Sequence, residues 1–380
     1  MKNNSGPSTM KSASILIIGG GIGGLTSAIA LGNSDFHVEI VEKDPAWSVY
    51  GVGIIQQANV VRAVAELGII DDYIDAGFGF NFVEVYKPDG DMAARIPVQP
   101  LVDGYPANVG IGRPALHKVL GDRAKAAGAK VRLGVTADEI DDEGKKVSVK
   151  FSDGTSGVYD LVIAADGIYS QTRSMILPDA ASPAFVGQSV WRYNFNKPAE
   201  LDALRAYEGP IGIGLVPLSS EMMYMYVTTP EPGNPRYAHD SLAAALREKL
   251  SNAPPGIAEY GEQITDNDGV VYKPLEAYLL DGDWFKGNVV FIGDAAHATT
   301  PHLGQGAGMA IEDSIVLAQE LKASETVAEA FSRFQQRRFE RCKYIVDASL
   351  AICRSQLGEG PRIAQDKATA EMMQVVAQPL

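Results

Sequence analysis

Three glycines, Gly19, Gly21 and Gly24, stand in Gly-x-Gly-x-x-Gly spacing inside SILIIGGGIGGLTSAIALGNSDFHVEIVE, the stretch from Ser14 to Glu42. That spacing suits the pyrophosphate of a dinucleotide. Gly19 permits a tight turn, Gly21 lets the backbone approach the phosphates, and Gly24 lets a helix pack close on a strand. Ile22 and Gly23 complete the loop, and the unpaired N–H groups and positive end of the helix that follows would face the phosphates. Glu42, with Lys43 beside it, comes about 20 residues past the glycines, where ribose hydroxyls need an acceptor. Two more acids adjoin glycines, in Asp166-Gly167 and Gly293-Asp294, and a further glycine cluster surrounds Gln305 (Gly304, Gly306, Gly308). Three glycines alone could be a turn that binds nothing; strand, loop, helix, strand and acid in register favour a dinucleotide site.

Positioning these groups takes buried strands that each deliver a loop. The apolar runs Ile15–Ile18, Leu161–Ala164 and Val289–Ile292 read as such strands, with a helix over Leu25–Leu31 and another strand over His37–Val41. Asp44–Gln57 reads as a loop, and Asn59–Leu67 as a helix stopped by Gly68. Phe80–Tyr86 and Asp91–Pro97 alternate as a hairpin around Pro88-Asp89-Gly90. Arg113-Pro114 opens a helix over Ala115–Ala127, where proline's missing N–H costs nothing. Lys130–Leu133 reads as a strand and residues 137–159 as a small antiparallel meander. Val186–Phe195, Ile211–Val216 and Met222–Val227 read as one antiparallel sheet. Helices follow over Ser241–Leu250, Met309–Leu321 and Val327–Ile352, and Val270–Leu280 leads back to the first lobe. The basic side of the last helix (Arg333, Arg337, Arg338, Arg341) reads as a solvated face.

The expected architecture is therefore α/β: a Rossmann-like dinucleotide domain (residues 13–75, 108–180 and 279–325), an inserted, mainly antiparallel β-sheet substrate domain (76–107 and 181–278), a C-terminal helical region (326–380), and a disordered tail (1–12). A chain of 380 residues exceeds one typical core, in keeping with two lobes. It carries 33 basic and 47 acidic residues, a net charge of −14, which disfavours nucleic acid and anionic lipid. Its two cysteines, Cys342 and Cys353, form no Cys-x-x-Cys pair, which excludes dithiol flavin reductases and zinc ribbons. With no run of about 18 apolar residues and no signal-like N-terminus, a cytoplasmic setting and no membrane partner are expected.

Three buried strands, each ending in a glycine–acid element, make the chain resemble the class A flavoprotein monooxygenases, aromatic hydroxylases with the p-hydroxybenzoate hydroxylase fold. The carrying stretches are Gly19-x-Gly21-x-x-Gly24 with Glu42, then DLVIAADGIYSQTR from Asp160 to Arg173, then Gly293-Asp294-Ala295-Ala296-His297 with PHLGQG from Pro301 to Gly306. The resemblance covers residues 13–355. It implies FAD, with NADH or NADPH and O2 as cosubstrates, and hydroxylation of an aromatic or heteroaromatic ring through a C4a-hydroperoxyflavin. It also implies Glu42 on the adenosine ribose, Asp166 near the pyrophosphate with Arg173 close by, Asp294 on the ribityl chain, Arg113 reaching the flavin from a helix start, and Pro301, Gly304, Gln305 and Gly306 beside the isoalloxazine. In related ring hydroxylases a tyrosine seven residues past a strand-ending proline meets substrate; here Pro217 leads to Tyr224. Relatives acting on anionic heterocycles have an arginine five residues before that proline, whereas this chain has Gly212, which argues against the same anion clamp.

Tyr224 and Gln305 are thus the candidates for catalysis, and Tyr193, Met223, Tyr226, Pro301 and His302 for the substrate pocket. Tyr193 and Tyr226 are equally ordinary core residues at such spacing. His297 and His302 lack the spacing and the third ligand of a metal site, so no metal is expected. Asp166 and Arg173 have a purely structural ion pair as their alternative. Alternation puts Arg192 and Trp191 on opposite faces; Arg192 would orient NAD(P)H, bind a substrate acid, or be exposed. Alternatives to ring hydroxylation are an epoxidase or reductase of an apolar alkene, compatible with the Met222–Met225 strand, and a flavin-binding module without turnover. The protein is expected to be a monomer or homodimer.

Overall fold

The computed structural model describes residues 12–32, 36–209 and 211–380. Of the tail expected over residues 1–12, all but Ser12 lies outside that range. Strand Ser14–Ile18 is central in a six-stranded sheet, flanked by Leu161–Ala164 and His37–Glu42 and then by Val289–Phe291 and Lys130–Leu133, all parallel. The two-residue strand Phe285–Lys286 runs antiparallel at one edge. Helices cover the sheet, so Ile15–Ile17, Leu161–Ala164 and Val289–Phe291 are buried on both faces. That is why each reads as an unbroken apolar run rather than an alternating one. Because the three strands are parallel, their glycine–acid loops all leave at one edge, the carboxyl edge where open α/β sheets bind ligands.

The second sheet has seven strands, in the order Val271–Leu279, Ala184–Asn196, Met222–Pro230, Gly212–Pro217, Leu204–Tyr207, Phe82–Tyr86 and Met92–Pro97. All its pairs are antiparallel except Leu204–Tyr207 with Phe82–Tyr86. Along Met222–Pro230, Met223, Met225 and Val227 face a core shared with helices Leu242–Lys249 and Pro255–Glu262, whereas Tyr224 and Tyr226 face the first lobe. The mixed α/β fold read from the sequence, parallel sheet and antiparallel sheet together, is what the structure shows.

A third, three-stranded sheet joins the lobes: Gly53–Gln56, Asn108–Gly112 and Phe78–Phe80. Its first strand falls in the stretch expected to be loop. The pairing that makes it a strand comes from residues more than 50 positions away, beyond the reach of local pattern. Two of its glycines set the fit between lobes. A Cβ on Gly110 would lie 1.9 Å from the Pro217 carbonyl oxygen, and one on Gly53 would lie 2.5 Å from Tyr224 Cδ1.

Helix Gly306–Ala323 packs on the first helix, Ile22–Gly32, where Ser314 Oγ meets Thr26 Oγ1 at 2.7 Å and Ser27 Oγ at 2.9 Å. Helix Val327–Gln356 corrects one expectation, since its basic side is not a solvated face. Arg338 is 1 % exposed and bonded to Glu312 and Asp313; Arg337 pairs with Glu320; Arg341 donates to the carbonyls of Gln378 and Pro379. Only Arg333 of the four is exposed. Among the described residues no helix is long and apolar enough to cross a membrane.

Candidate active site

The first loop divides its glycines by task. Gly19 has φ +109°, and a Cβ there would stand 2.3 Å from the Ala165 oxygen, next to Asp166. Gly24 is tighter still, its Cβ position 1.9 Å from the Gly19 oxygen. At Gly21 a Cβ would meet nothing within 4 Å. Sterics thus require glycine on either side of Gly21, where they place no demand of their own. The Gly20 peptide is held on both sides: Glu42 Oε2 accepts its N–H at 2.8 Å, and its oxygen accepts from Trp47 Nε1 at 2.9 Å and His117 Nε2 at 3.3 Å. Lys43 beside them is exposed.

At the second strand end the carboxylate of Asp166 accepts from Ser170 Oγ and from Thr172 N at 3.0 Å, capping the helix Gln171–Ile176. No Asp166–Arg173 ion pair forms. Arg173 is buried instead, donating to the carbonyls of Ala295 (2.7 Å) and Ile168 (2.8 Å) with its guanidinium 4.0 Å over the Tyr278 ring. These two bonds tie the second loop to the third, which gives Arg173 a positioning task there.

The third strand ends at Gly293, φ +56°, packed on Ala310, which Gly23 also approaches. Asp294 is accessible to water; the protein packed around it raises its carboxyl pKa by desolvation, while His297 and Arg113 pull the other way. Behind it sits a sealed charge network. Asp313 accepts from Gly293 N (2.9 Å), His297 Nε2 (2.6 Å) and Arg338 Nε (2.8 Å), and Arg338 also reaches Glu312 at 2.8 Å. Burial alone would raise Asp313; the charges of His297 and Arg338 overcome it and hold the carboxyl at about 2. Cys342 completes a compact group with His297 and Asp313, but Arg338 places a cation where a metal would have to compete with it.

Gln305 is fully buried, and its amide pairs with Asn59 (3.0 Å) and Gln57. Asn59 donates onward to Glu312 at 2.9 Å. The Gln305 side chain therefore belongs to this network rather than to a reaction site, a correction to its expected role. Gly304 is left-handed (φ +66°) and Gly306 starts the long helix, so the loop after Pro301 presents backbone N–H groups at a helix N-terminus.

His302 is buried, with Nδ1 2.9 Å from Thr300 Oγ1 and Nε2 3.0 and 3.1 Å from the side-chain oxygens of Gln188 and Gln356. Burial pushes it down to about 4, so it is neutral at pH 7. An unfolded histidine takes its proton near 6.5, so between those values the unfolded chain binds more protons than the folded one. The resulting stability is complete above pH 6.5 and is lost as pH falls towards 4, on the order of 3 kcal/mol in all. Urea denaturation of the wild type and His302→Gln across pH 4–7 should show the substitution flattening that slope.

Facing these loops from the second sheet are Tyr224 and Tyr226. Tyr224 is 4 % exposed and packs with Phe80, Val216 and Leu218. Burial raises its phenol pKa, and Arg192 and Arg113 oppose the rise. Tyr193 and Met223 lie on the other face, packed with the second-lobe core and apart from Tyr224, because neighbouring strand residues alternate and these two are out of phase with it. Trp47, Asn59 and Asp313 were not singled out from sequence, and Arg338 was read there only as part of a solvated basic face. A detectable signal was present for Asp313: Glu312-Asp313 interrupts a helical run from Met309 to Leu317 whose other residues, Ser314 apart, are apolar, and acids there need buried partners.

The family described as FAD binding domain matches residues 12–349. The 2-heptyl-3-hydroxy-4(1H)-quinolone synthase of Pseudomonas aeruginosa is 31 % identical over 91 % of this chain and 90 % of its own length. The aurachin C monooxygenase/isomerase of Stigmatella aurantiaca is 29 % identical over 91 % and 89 %. The crystal structure of Klebsiella pneumoniae HpxO with FAD and uric acid superposes with a TM-score of 0.83 at 23 % identity, covering 98 % of this chain and 94 % of that one.

Proposed function

Since the chain belongs to the FAD binding domain family, we propose that it hydroxylates a small nitrogen heteroaromatic ring in the groove between its parallel and antiparallel sheets. It is an FAD-dependent monooxygenase, with NADH or NADPH as reductant. The observation that carries the ring-binding site is the convergence of three strand-end loops at one sheet edge, opposite Tyr224. A fused nitrogen heterocycle is the favoured class because the named compounds of two matched relatives, a quinolone and uric acid, share that chemistry.

The residues fit the cofactor. Gly21 keeps its backbone bare where the fold makes no such demand, as close approach of a pyrophosphate needs. Gly19, Ile22, Gly23 and Gly24 shape that loop, Glu42 takes the adenosine ribose, Asp294 the ribityl hydroxyls, and Arg113 the flavin side. FAD, when bound, supplies hydride acceptance and oxygen activation. The chain's own groups do the rest. Tyr224, kept protonated by burial, donates a hydrogen bond to a ring oxygen. Backbone N–H groups at the start of helix Gly306–Ala323 stabilise negative charge, and Phe80, Val216 and Leu218 keep water out. Tyr226 packs against the same apolar group, while Gln305 contributes through its backbone.

The purified protein should be yellow, with a flavin spectrum, and should oxidise NADH or NADPH with matched oxygen uptake and little peroxide when offered its ring compound from a panel of quinolones, pyridines and phenols. A colourless protein that FAD does not reconstitute would overturn the reading. The alkene epoxidase reading drew on the Met222–Met225 strand. With Met223 and Met225 turned into the second-lobe core, no observation favours it.

A further inference from the structure

Two cations in the groove lack an anion. Arg113 and Arg192 are both half-buried, and neither guanidinium makes a hydrogen bond or ion pair with any described residue. The half-buried Arg132, Arg205 and Arg337, by contrast, each hold a carboxylate at 3.1 Å or less. The field of Asp294 reaches Arg113 without an ion pair between them; Arg192 has no such acid beside it, and burial together with the charge of Arg113 lowers it to about 10.

Backbone contacts hold the two together. The Val52 carbonyl accepts Arg113 N at 3.1 Å, and the preceding carbonyl, Gly51, accepts Asn194 Nδ2 at 2.7 Å. Asn194 shares its strand face with Arg192. Across the sheet, Asn194 pairs with Tyr224, and Arg192 pairs with Tyr226, which pairs in turn with Gly214. A Cβ on Gly214 would lie 2.2 Å from the Tyr226 ring, so that ring leans over Gly214, away from the Arg192 strand. The space diagonally beside Tyr224 is left to Arg192, within reach of a long side chain. Gly212, which has no side chain, leaves the task to Arg192.

We infer that Arg192, backed by Arg113, binds a negatively charged oxygen of the ring substrate, a carboxylate or ring enolate, beside Tyr224. The inference rests on ring hydroxylation as the reaction. It moves the anion site from the strand of Gly212 to that of Arg192, so the glycine does not preclude an acidic substrate. A partly desolvated guanidinium fork recovers its lost pairing when a two-oxygen anion arrives, which makes the bound form of the site the satisfied one.

The test uses the FAD-loaded protein, with benzoate and benzamide as charged and neutral probes read through the flavin spectrum. The wild type should bind benzoate at least tenfold more tightly than benzamide. Arg192→Gln should abolish that preference, and Arg192→Lys, which keeps the charge and loses the fork, should retain part of it. Flavin reduction by NADH or NADPH without any ring compound should keep its KM in both variants. No preference in the wild type overturns the inference, as does a preference that survives Arg192→Gln. A raised KM for the reduced dinucleotide with benzoate preference intact also overturns it, assigning the anion to the nicotinamide cosubstrate. Calorimetry of the same probes on FAD-free protein reads the arginine pair independently of flavin, so failure here and failure of the monooxygenase reading are separate results.

Discussion

Replacing Arg338 with alanine should destabilise the protein by about 3–5 kcal/mol, the usual consequence of removing one partner from a buried ion pair. The guanidinium is 1 % exposed and is shared between Glu312 and Asp313, themselves 1 % and 0 % exposed on their side chains. Alanine would leave Asp313 with His297 alone and Glu312 with the more distant Arg341, at 3.4 Å, as their remaining counter-charges in a dry site. Asp313 also accepts from Gly293 N, so the damage should spread to the loop bearing Asp294 and weaken FAD retention in whatever fraction still folds. Arg338→Lys should be intermediate, because a point charge cannot serve both acids with the fork geometry of arginine. Urea denaturation with flavin fluorescence as a second readout checks both effects; an Arg338→Ala protein as stable as the wild type would show the network to be dispensable.

The second large effect separates folding from cofactor binding at two glycines three residues apart. Gly24→Ala places a Cβ 1.9 Å from the Gly19 carbonyl oxygen and 3.2 Å from Ile17 Cγ2. Backbone cannot yield there without shifting the first helix off the central strand, so a loss of about 1–3 kcal/mol or more is expected, together with loss of FAD. Gly21→Val adds a side chain that meets no protein atom at its Cβ. It should therefore leave the melting transition of the FAD-free protein close to that of wild type while weakening FAD binding at least a hundredfold, by standing where phosphate must approach. Thermal denaturation of the FAD-free proteins and a flavin-binding titration distinguish the two: equal destabilisation by both substitutions would contradict the division of labour between these glycines.

What could be read from residues alone follows from how each feature is encoded. The three strands that carry the loops contain unbroken apolar runs (Ile15–Ile18, Leu161–Ala164, Val289–Phe291), and Gly19, Asp166 and Gly293 come within two residues of their ends, so local pattern sufficed. Faces along the second sheet were harder. Tyr193 and Tyr224 are both aromatic on strands, and only the pairing of Tyr193 with Met225 and of Asn194 with Tyr224 reveals that they point to opposite sides. Gln305 has the backbone position expected of it, but the direction of its amide depends on Asn59, 246 residues away. The arginines of the last helix looked solvated because helical spacing marks a basic side without saying what lies against it. Here the partner was the acidic pair Glu312-Asp313 on a different helix.

Arg113 and Arg192 stand inside a chain whose net charge is −14, and the two facts act at different ranges. At distances of tens of ångströms an approaching anion experiences the overall negative field and is repelled; within roughly 8–10 Å, about one Debye length in physiological salt, the two guanidinium groups take over. Added electrolyte screens the distant repulsion before it erodes the short-range attraction. Moderate ionic strength therefore speeds encounter with an acidic ring, the opposite of the slowing produced when a protein steers its ligand from afar.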